Sequence, residues 1–582
     1  MAWRISQGAL LYDQLANWYG PLAQLVEAAG SRLFGVGMDT IFGMNIALTA
    51  GILFLIRAIF GTIGNRLTVW LCSVVFVLVF MVGSYRIDSN YSYIAPYSAQ
   101  ATYGLAGLLI VVWALLRHLK SERGVWLFVA GGGLAVAYLD KHEPLLAALG
   151  ALGIYVAARV IRIVRQNTFK MSAPNAGRWL LGVIVWLASG FFSLWTPVFL
   201  FFASEGGVGY AFRATNRVVY TMLDPVFVNT VENSTFMRGL FGFDNPWGNF
   251  IVQLQAGALL LLVCAALALI TWQWTKAQQF SSAWWGYLLA ALAVAAGVCW
   301  ANWHGPLQWI YLGRAIVFPV FIGGAVAAGW CGWSAWRGKG DFNHVLGVAM
   351  VGVAAALMFA RMALHARIYH FGFFMAPLAV FFVIHLMTVE AARPWAGLQR
   401  ANILLPAAFS LIVLCGAAFL GRANVLNYAK KTLEVGSGRD RFYTFESGMS
   451  EHGVLLQQMI KVVKDHAPGI HTLAAFPEAS AVNYHLRLPS PLAETEFQPV
   501  SLAYVGQQHV LDELQAHPPD LIFLHYREMD EFGVKFFGAD QASGLGIVIW
   551  INAHYVRTGF TGNTPDTFTG HSIDMYVRKP GE

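Results

Sequence analysis

The chain has 582 residues, of which 57% are hydrophobic and 12% charged, with a mean hydropathy of +0.55; a soluble chain carries about a quarter charged residues. This excludes a soluble multidomain enzyme, while 14% aromatic residues and only 5 Cys exclude a disordered chain, a collagen-like fibre and a disulfide scaffold. What remains is a polytopic helical membrane protein.

The net charge of +7 is a sum over two unlike parts. Residues 1–424 hold 26 Lys/Arg against 13 Asp/Glu, a net of +13, and residues 425–582 hold 12 against 18, a net of −6. The basic excess therefore belongs to membrane loops and does not argue for nucleic acid.

In chain order, residues 1–40 form a first extracytoplasmic loop region. It opens with MAWRISQGALLYDQLANWYGPL, which holds neither a signal peptide nor an apolar helix to export it. Apolar runs of about 17–25 residues, enough to cross a bilayer, follow at 41–60, 68–84, 100–117, 124–139, 144–163, 179–203, 249–274, 283–301, 309–335, 344–364, 368–388 and 401–421. The predicted fold is thus mainly α, a bundle of about 12 spans over 41–424. The run 124–139 is short and carries Gly131, Gly132 and Gly133, so close packing inside the bundle is expected.

Alternate loops hold Arg57, Arg66, Arg117, Lys120, Arg123, Arg159, Arg162, Arg165, Lys170, Arg178, Lys276, Arg337, Lys339, Arg393 and Arg400 against three acids, Glu122, Asp341 and Glu390. The positive-inside rule makes those loops cytoplasmic. The long loops and the C-terminal part then lie outside, in a cell membrane of the bacterial inner-membrane kind. An even number of spans would also place residues 1–40 outside with nothing to carry them there, so a preceding transmembrane helix is expected upstream of Met1.

After Arg422 the composition changes to that of a small soluble α/β domain, 425–582. Helices are predicted at 451–466 and 507–516, and strands at Thr472–Phe476, Leu521–His525 and Gly546–Asn552. All five Cys fall within spans and read as core residues.

No Walker loop, nucleotide-binding GxGxxG, HExxH or CxxC is present, which disfavours an ATP-driven pump or a dehydrogenase. Candidate chemistry lies on the outer face. Asp13 and Asp88 are the carboxylate candidates, for a general base or a divalent metal; each reads equally well as an ordinary turn residue. Lys141, Arg314, Arg361 and Arg367 stand at outer span ends, where cations suit a phosphate head group. Lys141 and Glu143 also read as a local ion pair, and Arg361 and Arg367 as snorkelling side chains. Arg314 is placed several residues into a span, where a charge is a functional hypothesis by default. His142, Glu143 and His370 are further pocket candidates. His365 and His370, five residues apart, do not share a helical face well enough to read as metal ligands.

Ala2–Leu22, with Gly8, Tyr12-Asp13 and Tyr19-Gly20-Pro21-Leu22, resembles the first extracytoplasmic loop of family 39-like glycosyltransferases. These are GT-C fold enzymes of the dolichyl-phosphate-mannose-protein mannosyltransferase and aminoarabinose transferase type. Asn90–Ser98 running into Thr102-Tyr103-Gly104-Leu105 is similar to their second outer loop and the helix after it. Leu139-Asp140-Lys141-His142-Glu143-Pro144 resembles their Lys-containing junction, and Tyr369-His370-Phe371-Gly372-Phe373-Phe374 an aromatic-Gly stretch of bacterial members. The resemblance implies transfer of a sugar from a polyprenyl-phosphate donor to a glycan, lipid or protein acceptor at the extracytoplasmic membrane face, with inversion. It implies no cofactor beyond a divalent cation, which some relatives hold and others replace with Lys and Arg. The family's first acidic motif follows its first transmembrane helix, upstream of the segment matching Ala2, so the resemblance too calls for an upstream helix. Two other readings compete: a transporter or flippase of a lipid-linked glycan, and a GT-C-type oligosaccharide ligase or polymerase.

Overall fold

The structure is a computed structural model that describes every residue except 86, 88–90, 168–173, 278–283, 305–312, 339, 369, 370, 394–400, 468, 563–571 and 582. The chain is mainly α-helical, and among the described residues its strands lie within 433–578. It divides into two compact units. The membrane unit is Asn45–Leu200 with Asn245–Leu426; the other unit gathers Met1–Met44, Phe201–Asp244 and Asn427–Glu582.

Twelve apolar helices fall on the twelve predicted spans: α1 Met38–Ile63, α2 Arg66–Met81, α3 Ala99–Ser121, α4 Val125–Tyr138, α5 His142–Asn167, α6 Pro174–Thr215, α7 Pro246–Ala277, α8 Trp284–His304, α9 Val317–Arg337, α10 Phe342–Phe359, α11 Ala376–Glu390 and α12 Ala401–Ala429. Among the described residues nine helices are long and apolar enough to cross a membrane, while α2, α4 and α11 are shorter apolar helices. The chain is therefore read as a multi-pass membrane protein. Arg314 corrects the sequence reading: α9 begins at Val317, so Arg314 lies in the turn ahead of the helix, not inside a span.

The membrane core runs through Phe60, Phe76, Leu108, Leu115, Ala147, Ala354 and Phe382, all buried. The expected close packing of α4 is present. A Cβ on Gly107 of α3 would lie 2.7 Å from the Gly133 carbonyl oxygen, so the two backbones meet where neither carries a side chain. The three acids of the basic loops each have a structural task. Glu122 accepts from Arg159 at 2.8 Å, Asp341 caps α10 by accepting from the His344 N–H at 3.2 Å, and Glu390 is held by His344 at 2.8 Å.

In the second unit, β1 (Leu433–Val435) and β2 (Phe442–Thr444) form a small antiparallel pair. The main sheet has β3 (Leu473–Phe476) parallel to β4 (Leu521–Tyr526), with β6 (Ser572–Arg578) antiparallel between β4 and β5 (Tyr555–Gly562). Alternate residues of β4 enter two cores: Leu521 and Phe523 join Leu455 and Met459, and Ile522 and Leu524 join Val510 and Ile551. Burial on both faces is why β4 reads as an unbroken apolar run.

The predicted helices appear as α13 (His452–His466) and α14 (Gln507–Ala516). The predicted strand Gly546–Asn552 is instead part of α15, Leu545–His554. A 3-10 turn, Gln541–Ser543, closed by a capping box on Asp540, precedes it; its own N-cap is Gly544 at φ +97°, and Ile547 and Ile551, four apart, are buried while Ile549 is 58% exposed. Residues 1–40, read as a first extracytoplasmic loop region, fall within the Met1–Met44 part of this unit: Ala16 N–H donates to the Ala493 carbonyl at 3.0 Å, and Arg439 pairs with Asp39 at 2.9 Å.

Candidate active site

In the membrane unit, α4 ends at Tyr138 and α5 begins at His142, and the three-residue junction between them is buried. Pro144 in the first turn of α5 costs no helical hydrogen bond there. It packs on Gly104 of α3, where an added Cβ would stand 2.9 Å from the Pro144 ring and 3.6 Å from the Lys141 side chain. Asp140, Lys141 and Glu143 are at most 5% exposed, which is rare for such residues unless they are paired.

Glu143 is paired across 218 residues of sequence. Arg361 Nη1 donates to its Oε1 at 2.7 Å, and His142 Nε2 lies 3.4 Å from the same oxygen. Beside the local Lys141–Glu143 interaction weighed above there is thus a long-range pair, with Arg361 as the hydrogen-bonded cation. Lys141 directs its ammonium over the Phe374 ring, 4.9 Å from the centroid. Arg361 follows α10 in a 3-10 turn, Ala360–Met362.

The loop after it folds back on itself. Gly372 sits against the Arg367 carbonyl and the Met362 sulfur, and Arg367 Nε donates to His365 Nε2 at 2.9 Å. That bond needs an unprotonated His365 Nε2. Gly313 lies against Ile368 and the Ala366 carbonyl, which brings the turn holding Arg314 to the Arg367 segment. The Tyr91 and Tyr93 rings pack on Phe373 at 6.0 and 5.6 Å, joining the second outer loop to the same surface.

The structure therefore groups Lys141, His142, Glu143 and Arg361, with Arg367 and Arg314 on adjoining segments. Asp88 and His370 lie outside the described residues. Sequence reasoning named the fully buried Asp140 and Phe374 only as members of the Leu139–Pro144 and Tyr369–Phe374 stretches and gave neither a role of its own.

Asp13 belongs to the other unit. It is exposed, in a turn closed by Leu11 and Leu15, with Tyr12 at φ +73°. The Tyr12 hydroxyl donates to the Tyr19 carbonyl at 2.6 Å, Tyr210 donates to the Leu11 carbonyl, and Arg217 lies over the Tyr12 ring at 5.5 Å. The Tyr12-Asp13…Tyr19-Gly20 motif is thus a folded turn knitted to residues 210–217.

Near Arg217 the Glu494 carboxyl is pushed up to about 7, first by burial and then by Glu513 and Glu496, with Arg217 opposing. A raised carboxyl holds its proton more tightly in the folded state. Its stabilising contribution is complete below the unfolded value near 4.5 and is lost as pH rises through about 7. Glu494→Gln is expected to raise the stability of this unit at pH 8 by on the order of 1–3 kcal/mol and to leave it nearly unchanged at pH 4. Thermal unfolding of the full chain at the two pH values checks this; an equal shift at both would refute it.

Among the described residues, the group of three His, Cys, Asp or Glu side chains close enough to share a metal ion is His344, His385 and Glu390, at the other end of α10 from Arg361. No family model and no curated protein matches the chain. Among solved structures, the crystal structure of the Archaeoglobus fulgidus oligosaccharyltransferase in its apo form is similar, with a TM-score of 0.42 and 8% identity. The match covers 87% of this chain and 61% of that one, so the chain spans less than two thirds of that protein's length.

Proposed function

We propose that the chain is an integral membrane glycosyltransferase of the GT-C type, moving a sugar from a polyprenyl-phosphate donor to an acceptor at the extracytoplasmic membrane face. The observation that carries this reading is the group of cations and aromatic rings joining the α4–α5 junction to the loop after α10. Lys141, Arg314, Arg361 and Arg367 set against Asp140 and Glu143 give a formal charge of +2. A sugar phosphodiester brings one negative charge, and its cleavage leaves a phosphate monoester with about −1.5 to −2. Cations fixed in a partly dry site stabilise that growing charge without reorganising.

In the step proposed, an acceptor hydroxyl attacks the anomeric carbon from the face opposite the phosphate. The bond from that carbon to the phosphate oxygen breaks, the polyprenyl phosphate departs against Lys141 and the arginines, and the hydroxyl proton passes to a carboxylate. Asp88, three residues before Tyr91 in sequence, is the candidate for that carboxylate, as the base or as a ligand to a divalent cation.

The test is conversion of radiolabelled polyprenyl-phosphate sugars by the protein in nanodiscs. Release of polyprenyl phosphate is expected from the wild type, with a loss of about 10²–10⁴-fold in Asp88→Asn. Translocation of intact donor without cleavage would instead establish a flippase.

A further inference from the structure

His344, His385 and Glu390 meet where α10 begins and α11 ends. Regular α winding would not bring residues 385 and 390 together. Leu386–Glu390 is π-helical, and its i→i+5 register places Glu390 beside His385. His344 enters from the first turn of α10, and the Thr388 and Thr68 hydroxyls share a hydrogen bond at 2.8 Å that fixes the π turn to α2.

The two imidazoles address one oxygen. His344 Nε2 is 2.8 Å and His385 Nε2 3.3 Å from Glu390 Oε1, while Arg393 Nη1 takes Oε2 at 3.2 Å. One ligand atom from each of His344, His385 and Glu390 lies within 4.8 Å of the others. His385 is fully buried, and its Nδ1 has no hydrogen-bond partner. Protons alone set two imidazoles against one carboxylate oxygen, whereas an ion shared by the three ligand atoms would take both Nε2 lone pairs and that oxygen together; the unmet Nδ1 is on the other side of the His385 ring and is not part of that cluster. With metal–ligand bonds of about 2.0–2.1 Å, the edges of a tetrahedral site measure roughly 3.3 Å, close to the two separations at Oε1.

We propose that His344, His385 and Glu390 bind a divalent transition metal of the zinc class, clamping the start of α10 to the end of α11. Two imidazoles and a carboxylate, with no thiolate, suit zinc and its neighbours in the first row and do not suit magnesium or calcium. The α10 helix separates this cluster from Arg361 by roughly 20–25 Å at 1.5 Å per residue, so the site is distinct from the one proposed for sugar transfer and does not depend on that reading.

The experiment uses the full chain, purified in detergent, stripped with a chelator and dialysed against zinc. The wild type is expected to retain one equivalent by elemental analysis, with His344→Ala and Glu390→Gln each retaining less than a tenth of that. Cobalt in place of zinc should give the visible ligand-field bands of a four-coordinate site in the wild type alone. Because His385 is fully buried, His344→Ala and Glu390→Gln serve as the reporters, and elution volume with metal-free melting temperature shows that they fold. A wild type holding no more zinc than His344→Ala, or cobalt bands that survive both substitutions, would overturn the assignment.

Discussion

Arg361→Ala is expected to cost the membrane unit about 3–5 kcal/mol, the range seen when one partner of a buried ion pair is removed. Glu143 is 5% exposed and accepts from Arg361 at 2.7 Å, so the substitution strands a carboxylate away from water. Read from sequence alone, Arg361→Ala should abolish transfer in a protein that still inserts and folds; the pairing makes it a poor test on its own. The double variant Arg361→Ala/Glu143→Gln removes both charges and is expected to recover most of the lost melting temperature, since deleting a whole pair costs far less than breaking it. Its activity then separates two roles. Stability regained without transfer places Arg361 against the donor phosphate, whereas stability regained together with full transfer reduces Arg361 to the counter-ion of Glu143 and removes it from the donor site.

That pairing also shows where sequence reasoning reached its limit. The spans were legible because a bilayer demands about 20 apolar residues in a row, a local property. The Arg361–Glu143 bond joins residues 218 apart, and no local pattern announces it. Gly546–Asn552 failed for a different reason: a short apolar run fits a buried strand or a buried helix, and only the burial of Ile547 and Ile551, four apart behind the Gly544 N-cap, marks it as a helix. Arg314 was misplaced by a few residues because hydropathy does not mark where a helix starts. The His344, His385 and Glu390 cluster was invisible for the most specific reason. A five-residue spacing argues against a shared face on an α-helix, yet it is the spacing that the π register of Leu386–Glu390 brings together. Among the site residues, the Lys141 junction was legible as a motif, while the role of Phe374 beneath it had to come from the fold.

Lys141 carries the sharper functional prediction. It is 3% exposed, with its ammonium over the Phe374 ring, and it also acts electrostatically on the Glu143 carboxylate. The ring contributes about 0.5–2 kcal/mol of cation–π energy. Lys141→Met keeps the length of the side chain and its packing, so the protein is expected to fold with a smaller loss of melting temperature than Arg361→Ala. Transfer from the polyprenyl-phosphate donor is expected to fall by on the order of 10²–10³, as when one fixed donor to a developing oxyanion is removed. Lys141→Arg keeps the charge but puts a planar fork where a compact ammonium sat, and should restore donor binding more than turnover. The opposite outcome, a marked loss of stability in Lys141→Met with activity falling only in proportion to the folded fraction, would make Lys141 a structural counter-charge for Asp140 and Glu143. The phosphate would then have to be held by Arg367 and Arg314.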